Sequence, residues 1–253
     1  MTFLEAIGLA AAAFAAGGIN AAAGGGSLVS FPALLAAGYP AKTANVTNTV
    51  ALWPGYLGGS LGYRELLLPQ RQTVIALSVS SMLGALAGSA ILLSTPEPAF
   101  EAVVPFLILF AALVLALQTR VAAFIASRRA GGETSTRIPT ALHACVFALA
   151  VYGAYFGAGL GIMTLAVLGV LLPDDLQRSN ALKGVLSLVI NAVAVVYFAA
   201  FGPVEWLPAA VMALAALAGG YLGAHLARGL SARVLRAGVV AYSLAVAAVL
   251  FVR

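Results

Sequence analysis

Residues 17–27 read GGINAAAGGGS, and residues 153–161 read GAYFGAGLG. Both stretches place clustered glycines inside long apolar segments, where an unbroken helix would otherwise be expected. Glycine disfavours helix interiors and permits a close approach of the backbone to a ligand. The two stretches therefore predict two interruptions of helical structure, and the remaining sequence indicates what surrounds them.

The composition indicates a surface covered by lipid. Of 253 residues, 62% are hydrophobic and only 8% are charged, whereas a soluble domain carries about 25% charged residues. Several apolar runs are about long enough to span a bilayer. They are Val74–Leu93, Phe100–Leu117, Val185–Phe201, Leu207–Leu226 and Val234–Val252. We therefore predict an all-α, polytopic helical membrane protein with the lipid bilayer as its main partner.

Charge and reactive side chains exclude several other classes. The formal charge is +5, but the basic residues are scattered over loops, so no nucleic-acid partner is predicted. A single cysteine, Cys145, excludes an internal disulfide, and two histidines leave little scope for zinc. No cofactor and no metal are predicted. The sequence leaves a homo-oligomer open.

An internal repeat divides the chain. A shift of 135 residues aligns the halves without a gap, placing Gly18 on Gly153 and Asn45 on Asn180. The same shift pairs Gly24, Gly26, Gly84 and Gly88 with Gly159, Gly161, Gly219 and Gly223. This constant shift predicts two homologous four-element halves. They are residues 1–126 and 138–253, joined by the polar linker 127–137.

Each half divides in the same way. A glycine-broken first element (1–38 and 138–172) precedes three helices, expected at 46–63, 72–94 and 100–125 and again at 181–201, 206–228 and 232–252. If the broken elements cross the membrane fully, the basic residues divide evenly between its two faces. If they enter and leave on one side, only Lys42 and Arg253 of 13 basic residues lie outside. The positive-inside rule favours the second topology. It predicts inverted repeats, periplasmic termini and a cytoplasmic linker.

The broken elements are the expected site. Irregular backbone inside a membrane survives only against protein or a wet cavity, and paired breaks in two halves indicate a transporter site. A helix that begins after such a break presents free N–H groups to an anion. For the triple glycine with Ser27 we favour a ligand role. For Gly84, Gly88, Gly219 and Gly223, spaced four residues apart within each half, we favour helix packing.

A polar patch follows each broken element. Asn45 and Asn180 could be helix N-caps or could bind a ligand, and the sequence does not choose between these roles. Asn48 and Lys183 lie at aligned positions three residues into the predicted helices. Lys183 could extend toward the interface or pair with an anion. Asn191, two turns further, would extend a polar track inward or bond a neighbouring helix.

Two other functions remain as alternatives for this sequence. An intramembrane enzyme could use Ser27 as nucleophile with His143 or His225 as base, but no nucleophile–base motif is visible. A membrane subunit of a larger complex is the other alternative, which the complete internal duplication disfavours. No carboxylate lies in the middle of an apolar run, so a carboxylate proton relay lacks its parts.

The motifs resemble the sulfite exporter TauE/SafE family, part of the toluene sulfonate uptake permease group. They are GGGS at 24–27 with Pro32, GYPAKTANVTN at 38–48, GAYFGAGLG at 153–161 and SNALK at 179–183. The resemblance covers essentially the whole chain. It implies a carrier of sulfite or small organosulfur anions in the bacterial inner membrane, with about eight membrane segments.

We therefore hypothesise a secondary transporter, an exporter of a small anion such as sulfite or an organosulfonate, working by alternating access between two repeats. Backbone amides would hold the oxyanion, Asn48 and Asn20 would donate hydrogen bonds, and Lys183 would supply charge. The predicted substrate-binding residues are Asn20, Gly24, Gly25, Gly26, Ser27, Asn45, Asn48, Tyr155, Gly157, Gly159, Gly161, Asn180, Lys183 and Asn191.

Overall fold

The computed structural model describes residues 1–22, 25–62, 64–129, 138–172, 176–226 and 232–252. Every regular element in these ranges is helical, which confirms the predicted all-α class. The helices are α1 (Phe3–Ala22), α2 (Ser27–Ala36), α3 (Ala41–Gly62), α4 (Arg64–Leu67), α5 (Arg71–Ser94), α6 (Glu97–Arg129), α7 (Thr140–Tyr155), α8 (Leu160–Leu171), α9 (Leu176–Phe201), α10 (Trp206–Leu226) and α11 (Ala232–Val252). A 3-10 turn, Leu68–Gln70, joins α4 to α5.

Within the described ranges, five helices are long and apolar enough to cross a membrane. The qualifying segments are Phe3–Asn20, Glu65–Ser94, Glu97–Phe124, Gln177–Phe201 and Val234–Phe251. A multi-pass membrane protein is therefore the architecture of this chain. α10 carries a shorter apolar stretch, Trp206–Leu222.

The helix boundaries differ from the sequence predictions in two ways. α3 begins at Ala41 and α9 at Leu176, five residues before the predicted starts at 46 and 181. Both polar patches therefore belong to helices rather than to loops. α6 continues through Arg129, so the first three residues of the predicted linker are helical. The rest of that linker, residues 130–137, lies outside the described residues.

The first element of each half is a helical hairpin. Gly26 packs so closely on Ala16 that an added Cβ would overlap the Ala16 carbonyl oxygen. Ten residues of straight helix would hold these positions about 15 Å apart, so α2 folds back on α1. In the second half, Leu142 near the start of α7 shares a hydrophobic cluster with Leu168 near the end of α8. The chain therefore reverses at both glycine stretches.

The first hairpin begins and ends at the membrane face where α5 ends, here named the Glu97 end. The backbone N–H of Lys42, in the first turn of α3, donates to the Glu97 carboxylate at 2.9 Å. Tyr39, between α2 and α3, lies near Glu5 of α1. The pKa of its phenol is raised, first by burial and then by the carboxylates of Glu205 and Glu5.

The second hairpin begins and ends at the other face, here named the Arg71 end. Its terminal residues Leu142 and Leu168 pack with Leu77, which lies in the second turn of α5. α5 has 24 residues and is therefore about 36 Å long. The two hairpins thus enter the helical bundle from opposite ends of α5.

Packing partners are exchanged between the halves. α1 packs on α10 and α7 packs on α5, while α3 packs on α10 and α9 packs on α5. Between the halves, α3 contacts α9 and α6 contacts α11. Each of these contacts thus has a counterpart with the halves reversed.

Small residues make the closest of these contacts. A Cβ on Gly84 would overlap the Phe147 carbonyl oxygen of α7, and one on Gly219 would overlap that of Phe14 in α1. Gly88 is equally close to the carbonyl of Val151. The predicted packing role of these three glycines is confirmed, since glycine lets helix backbones approach. The surroundings of Gly223 lie outside the described residues.

Candidate functional site

The second hairpin turn is held by hydrogen bonds from within its own half and from the other. Gly157 has a φ of +79°, a conformation that favours glycine, and its N–H donates back to the Tyr152 carbonyl at 3.2 Å. This geometry ends α7. The Tyr152 hydroxyl donates to the Ala158 carbonyl at 2.6 Å. From α3 of the first half, the Asn45 amide donates to the Tyr155 carbonyl at 2.8 Å.

The first hairpin turn is closed by its own half. The Asn20 side-chain oxygen accepts the Gly26 N–H at 2.7 Å. Ser27 is the first residue of α2 and is half-buried. Gly24, which we predicted as a ligand contact, lies outside the described residues.

The two turns meet on one helical turn of α6. A Cβ added at Gly25 would lie 3.4 Å from a Leu115 methyl carbon. One added at Gly159 would lie 3.4 Å from a methyl carbon of the adjacent Val114. The glycine stretches, far apart in sequence, therefore lie against neighbouring side chains.

An aromatic pair joins the same two hairpins directly. Phe31 of α2 packs edge-on against Phe156 of the second turn, with ring centroids 5.5 Å apart and an interplanar angle of 87°. Both side chains are buried.

The polar patches reach this junction from inside α3 and α9. Asn45 and Asn180 each lie four residues after the start of their helix, so the interpretation of these residues as N-caps is wrong. The Lys183 ammonium donates to the Asn180 side-chain oxygen at 3.2 Å. A Cβ on Gly161 would lie 3.7 Å from the Lys183 side chain. Lys183 and Asn180 therefore stand beside the beginning of α8.

Asn48 lies deeper in the protein than its aligned partner Lys183. It is only 3% exposed, and its side-chain oxygen has no hydrogen-bond partner among the described residues. Buried polar atoms are almost always paired. Asn48 lies one helical turn beyond Asn45, and its unpaired oxygen can only accept a hydrogen bond, so the partner it lacks is a donor such as water.

Two predicted site residues have contacts of a structural kind. The Asn191 amide donates to the Ser187 carbonyl of its own helix at 2.8 Å. The Tyr155 ring packs edge-on against Phe100, with centroids 5.6 Å apart. Their binding roles stay predictions.

Among the described residues, Ser27 has no histidine close enough to act as its base, so the enzyme alternative gains no support. His143 Nδ1 lies 2.9 Å from the Ser80 hydroxyl oxygen, in a contact between α7 and α5. It is thirteen residues from the turn at Phe156, about 20 Å along α7. Ser27 therefore has no base in His143, and the side chain of His225 lies outside the described residues.

Sequence reasoning missed several residues that position the site. Val114 and Leu115 look like ordinary apolar residues, and nothing in their sequence marks them as the surface on which both turns rest. Thr47 is fully buried and accepts the Glu205 N–H at 3.0 Å. Gln118 could have been found, because a polar residue within the apolar run of α6 is a functional hypothesis by default.

Comparison with known proteins agrees with this architecture. The sequence model of the family described as sulfite exporter TauE/SafE matches residues 9–250. The chain belongs to the TauE/SafE family. Its resemblance at the glycine and polar motifs is thus confirmed over nearly its full length, and the chain is a membrane transporter rather than an enzyme.

Relatives of this TauE/SafE member carry consistent names. It is 28% identical to the probable membrane transporter protein ORF9 of a Sinorhizobium species, over 93% of this chain and 88% of the relative. It is 29% identical to a probable membrane transporter protein of Haemophilus influenzae, over 84% and 81%. Identity to the probable membrane transporter protein YfcA of Escherichia coli K12 is 25%, over 91% and 84%. No solved structure matches this chain.

Proposed function

We propose that this transporter carries a small oxyanion, sulfite or an organosulfonate, in a site where the two hairpin turns meet. The observation that carries the proposal is that the first turn lies against Leu115 and the second against the adjacent Val114 of α6. Backbone that turns inside a membrane is stable only against protein or a wet cavity. Two such turns against adjacent residues of one helix would bring polar backbone groups close together within an apolar bundle.

The charge around this centre favours an anion. Lys183 is the cation beside the turns, and it stands next to Gly161 at the start of α8. The helix dipole adds partial positive charge at that start. Among the described residues the Gly161 N–H has no acceptor, so it is free to donate to an oxyanion. Asn48 would add a hydrogen bond from the opposite half.

Sulfur-containing oxyanions are the substrate class that the family name indicates. A sulfite or sulfonate group presents three oxygens, which suit a ring of donors that combines backbone N–H groups, an amide and an ammonium. Export is the direction that the same name indicates, and we adopt it for this chain.

Alternating access is the mechanism we infer. The packing partners exchange between the halves, and the hairpins enter from opposite ends of α5. These relations support inverted repeats whose site lies near the membrane midplane. The positive-inside rule would place the Arg71 end and the linker in the cytoplasm and both termini in the periplasm of the bacterial inner membrane.

Flux into reconstituted vesicles tests this function. Wild-type protein should transport radiolabelled sulfite or sulfoacetate. Lys183→Met should lower the flux about 10- to 100-fold, because a hydrogen bond to a charged group contributes about 1.5–3 kcal/mol. Asn48→Ala should give a smaller loss, and Lys183→Arg should retain part of the flux.

Lys42→Met is the matched control, because the Lys42 ammonium donates to the Leu93 carbonyl at the Glu97 end and, among the described residues, makes no hydrogen bond to either turn. Unchanged flux in both Lys183→Met and Asn48→Ala would remove these residues from the mechanism. Wild-type vesicles that carry neither anion would overturn the substrate class.

A further inference from the structure

Most of the buried polar atoms without hydrogen-bond partners lie on three helices, α3, α6 and α11. Among the described residues, six side-chain nitrogen or oxygen atoms are buried and unpaired. Two belong to Ser81 and Ser89 of α5. The other four are Asn48 Oδ1 and Trp53 Nε1 on α3, Gln118 Oε1 on α6 and Arg236 Nε on α11. α3 and α11 both pack on α6.

Arg236 faces the protein rather than the lipid. Val239, Ser243 and Ala247 are buried and recur at helical spacing along α11. Arg236 lies three residues before Val239, on the same stripe. Exposed Val234, Tyr242 and Val249 mark the opposite, lipid-facing side. The charged side chain therefore begins on the face that packs against α6.

Gln118 continues the corresponding buried stripe of α6. That stripe runs through Ile108, Ala111 and Leu115, which are all buried. Gln118 lies three residues beyond Leu115, so it is one helical turn past the junction of the hairpin turns, toward the Arg71 end. Its side-chain oxygen is buried and unpaired among the described residues.

The register of α6 and α11 brings these two residues to a similar depth. The helices run antiparallel, and Phe106 packs against Phe251 with ring centroids 5.1 Å apart. Arg236 lies fifteen residues before Phe251, and Val121 lies fifteen residues after Phe106. Because both helices rise equally per residue, Arg236 lies about level with Val121, one turn from Gln118.

Arg236 has an unusual electrostatic position. It lies about one turn into α11, where the helix dipole is positive and disfavours a cation. No carboxylate forms an ion pair with it among the described residues. Arg236 is half-buried as a residue, but its Nε is buried and unpaired among the described residues. A polar group removed from water is costly unless it is hydrogen-bonded, so this nitrogen calls for a mobile acceptor.

We propose that Arg236 and Gln118 form a second oxyanion site, in a wet vestibule between the hairpin turns and the Arg71 end. An anion would pause here before it reaches Lys183. The vestibule is the access path to the site of the proposed function, on which this inference rests. The guanidinium and the Gln118 side-chain nitrogen would donate to the oxyanion. The unpaired Gln118 oxygen, which can only accept, would bond a water of the vestibule.

A lipid phosphate has the same chemistry as the transported anion and could pair with Arg236 instead. The two sources predict different kinetics. A vestibule site lies on the path of the substrate from one face only. A lipid contact would act on stability and would not depend on which face supplies the anion.

Sided flux measurements distinguish these cases. Sulfoacetate would be supplied in turn to the Arg71 end and to the Glu97 end of oriented vesicles made of zwitterionic or of anionic lipid. Arg236→Gln should raise the half-saturating concentration at least tenfold from the Arg71 end, and much less from the Glu97 end, in both lipids. Arg236→Lys should restore most of the wild-type value.

Arg120→Gln is the matched control, since Arg120 is exposed on α6 close to the depth of Gln118 and Arg236. It should leave the half-saturating concentration unchanged. Gln118→Leu provides a second test if Arg236→Gln fails to fold, and it should raise the same constant about threefold or more.

Three results would overturn the vestibule site. They are equal half-saturating constants in wild type and in both Arg236→Gln and Gln118→Leu, an equal shift from both faces, or a shift confined to vesicles with anionic lipid. The last result assigns Arg236 to a lipid phosphate. If wild-type protein carries neither sulfite nor sulfoacetate, the proposed function fails. Equilibrium binding of thiosulfate to wild type and Arg236→Gln would then still test the vestibule site, and equal affinities would overturn it.

Discussion

The two hairpin turns have matching places in the fold but are built from different groups. In the first, Asn20 closes the turn from within its own hairpin by accepting the Gly26 N–H. In the second, Asn45 reaches across from the other half to hold the Tyr155 carbonyl. The aligned Gly161 N–H has no acceptor among the described residues, and Gly161 lies beside the Lys183 side chain.

This difference indicates that the two halves share their helix packing but not their polar groups. The predicted duplication would preserve what the bundle needs, namely glycines at helix contacts and a chain reversal in each half. It does not preserve the polar groups, since Asn48 and Lys183 occupy aligned positions with different charge. We infer that the second half supplies most of the attraction for the anion, while the first half supplies neutral hydrogen bonds.

The largest effects are expected where the halves are alike. Gly84→Leu and Gly219→Leu place side chains into backbone carbonyls of α7 and α1. Each should destabilise the protein by about 3 kcal/mol or more, at the upper end of overpacking costs. Size-exclusion profiles and thermal unfolding in detergent would measure this. Gly238→Leu is the control, because a Cβ there meets nothing within 4 Å. A large loss of stability in only one of the two variants would show that the two helix contacts are not equivalent.

Moving the charge tests the difference between the turns. Lys183→Asn alone should lower sulfoacetate flux about 10- to 100-fold. Adding Asn48→Lys returns a cation to the aligned position in the first half. Partial recovery would show that charge at the junction matters more than which half supplies it. Wild-type flux in Lys183→Asn alone would contradict the assignment of charge to the second half.

A smaller effect is expected from removing the hydrogen bond that Asn45 of the first half donates to the Tyr155 carbonyl of the second. Asn45→Ala leaves the Tyr155 carbonyl without its donor, at a cost of about 1–3 kcal/mol. Hydrogen–deuterium exchange should become faster in residues 153–161 and stay unchanged in residues 17–20. Asn20→Ala should have its effect at the other turn: exchange should become faster in residues 25–29 and stay unchanged in residues 153–161. Equal changes at both turns in either variant would show that the turns are not held separately.

The smallest effect should come from Asn191. Its amide donates within its own helix, so Asn191→Leu should lower sulfoacetate flux by less than about threefold, the equivalent of under 1 kcal/mol. A loss as large as that of Lys183→Asn would place the binding site further along α9 than the junction of the turns.

The sequence predicted much of this fold because its signals are local. Apolar run length, glycine clusters and the repeat shift indicated the helices and the two breaks. The starts of α3 and α9 were predicted too late, because polar residues such as Lys42 and Asn45 resemble loop residues until a buried environment is known. Tertiary contacts with Glu97 and Tyr155 stabilise these residues inside helices.

The candidate site was predictable only in part. Glycine stretches and aligned polar residues are visible in sequence. Contacts between distant segments are not, so the role of Val114 and Leu115 could not be predicted. The same holds for Arg236. In sequence it is one of several basic residues near a helix start, and only the structure shows that its Nε is buried and unpaired among the described residues.

The most direct test of the central claim is cross-linking of the two turns. Phe31→Cys and Phe156→Cys would be combined in a Cys145→Ser background with a protease site inserted among residues 130–137. A short bismaleimide should join the halves, so that they stay together on a gel after proteolysis, and sulfoacetate should slow the reaction. If each single cysteine reacts with a monomaleimide but the halves still separate, the turns do not meet and the proposed anion site does not exist.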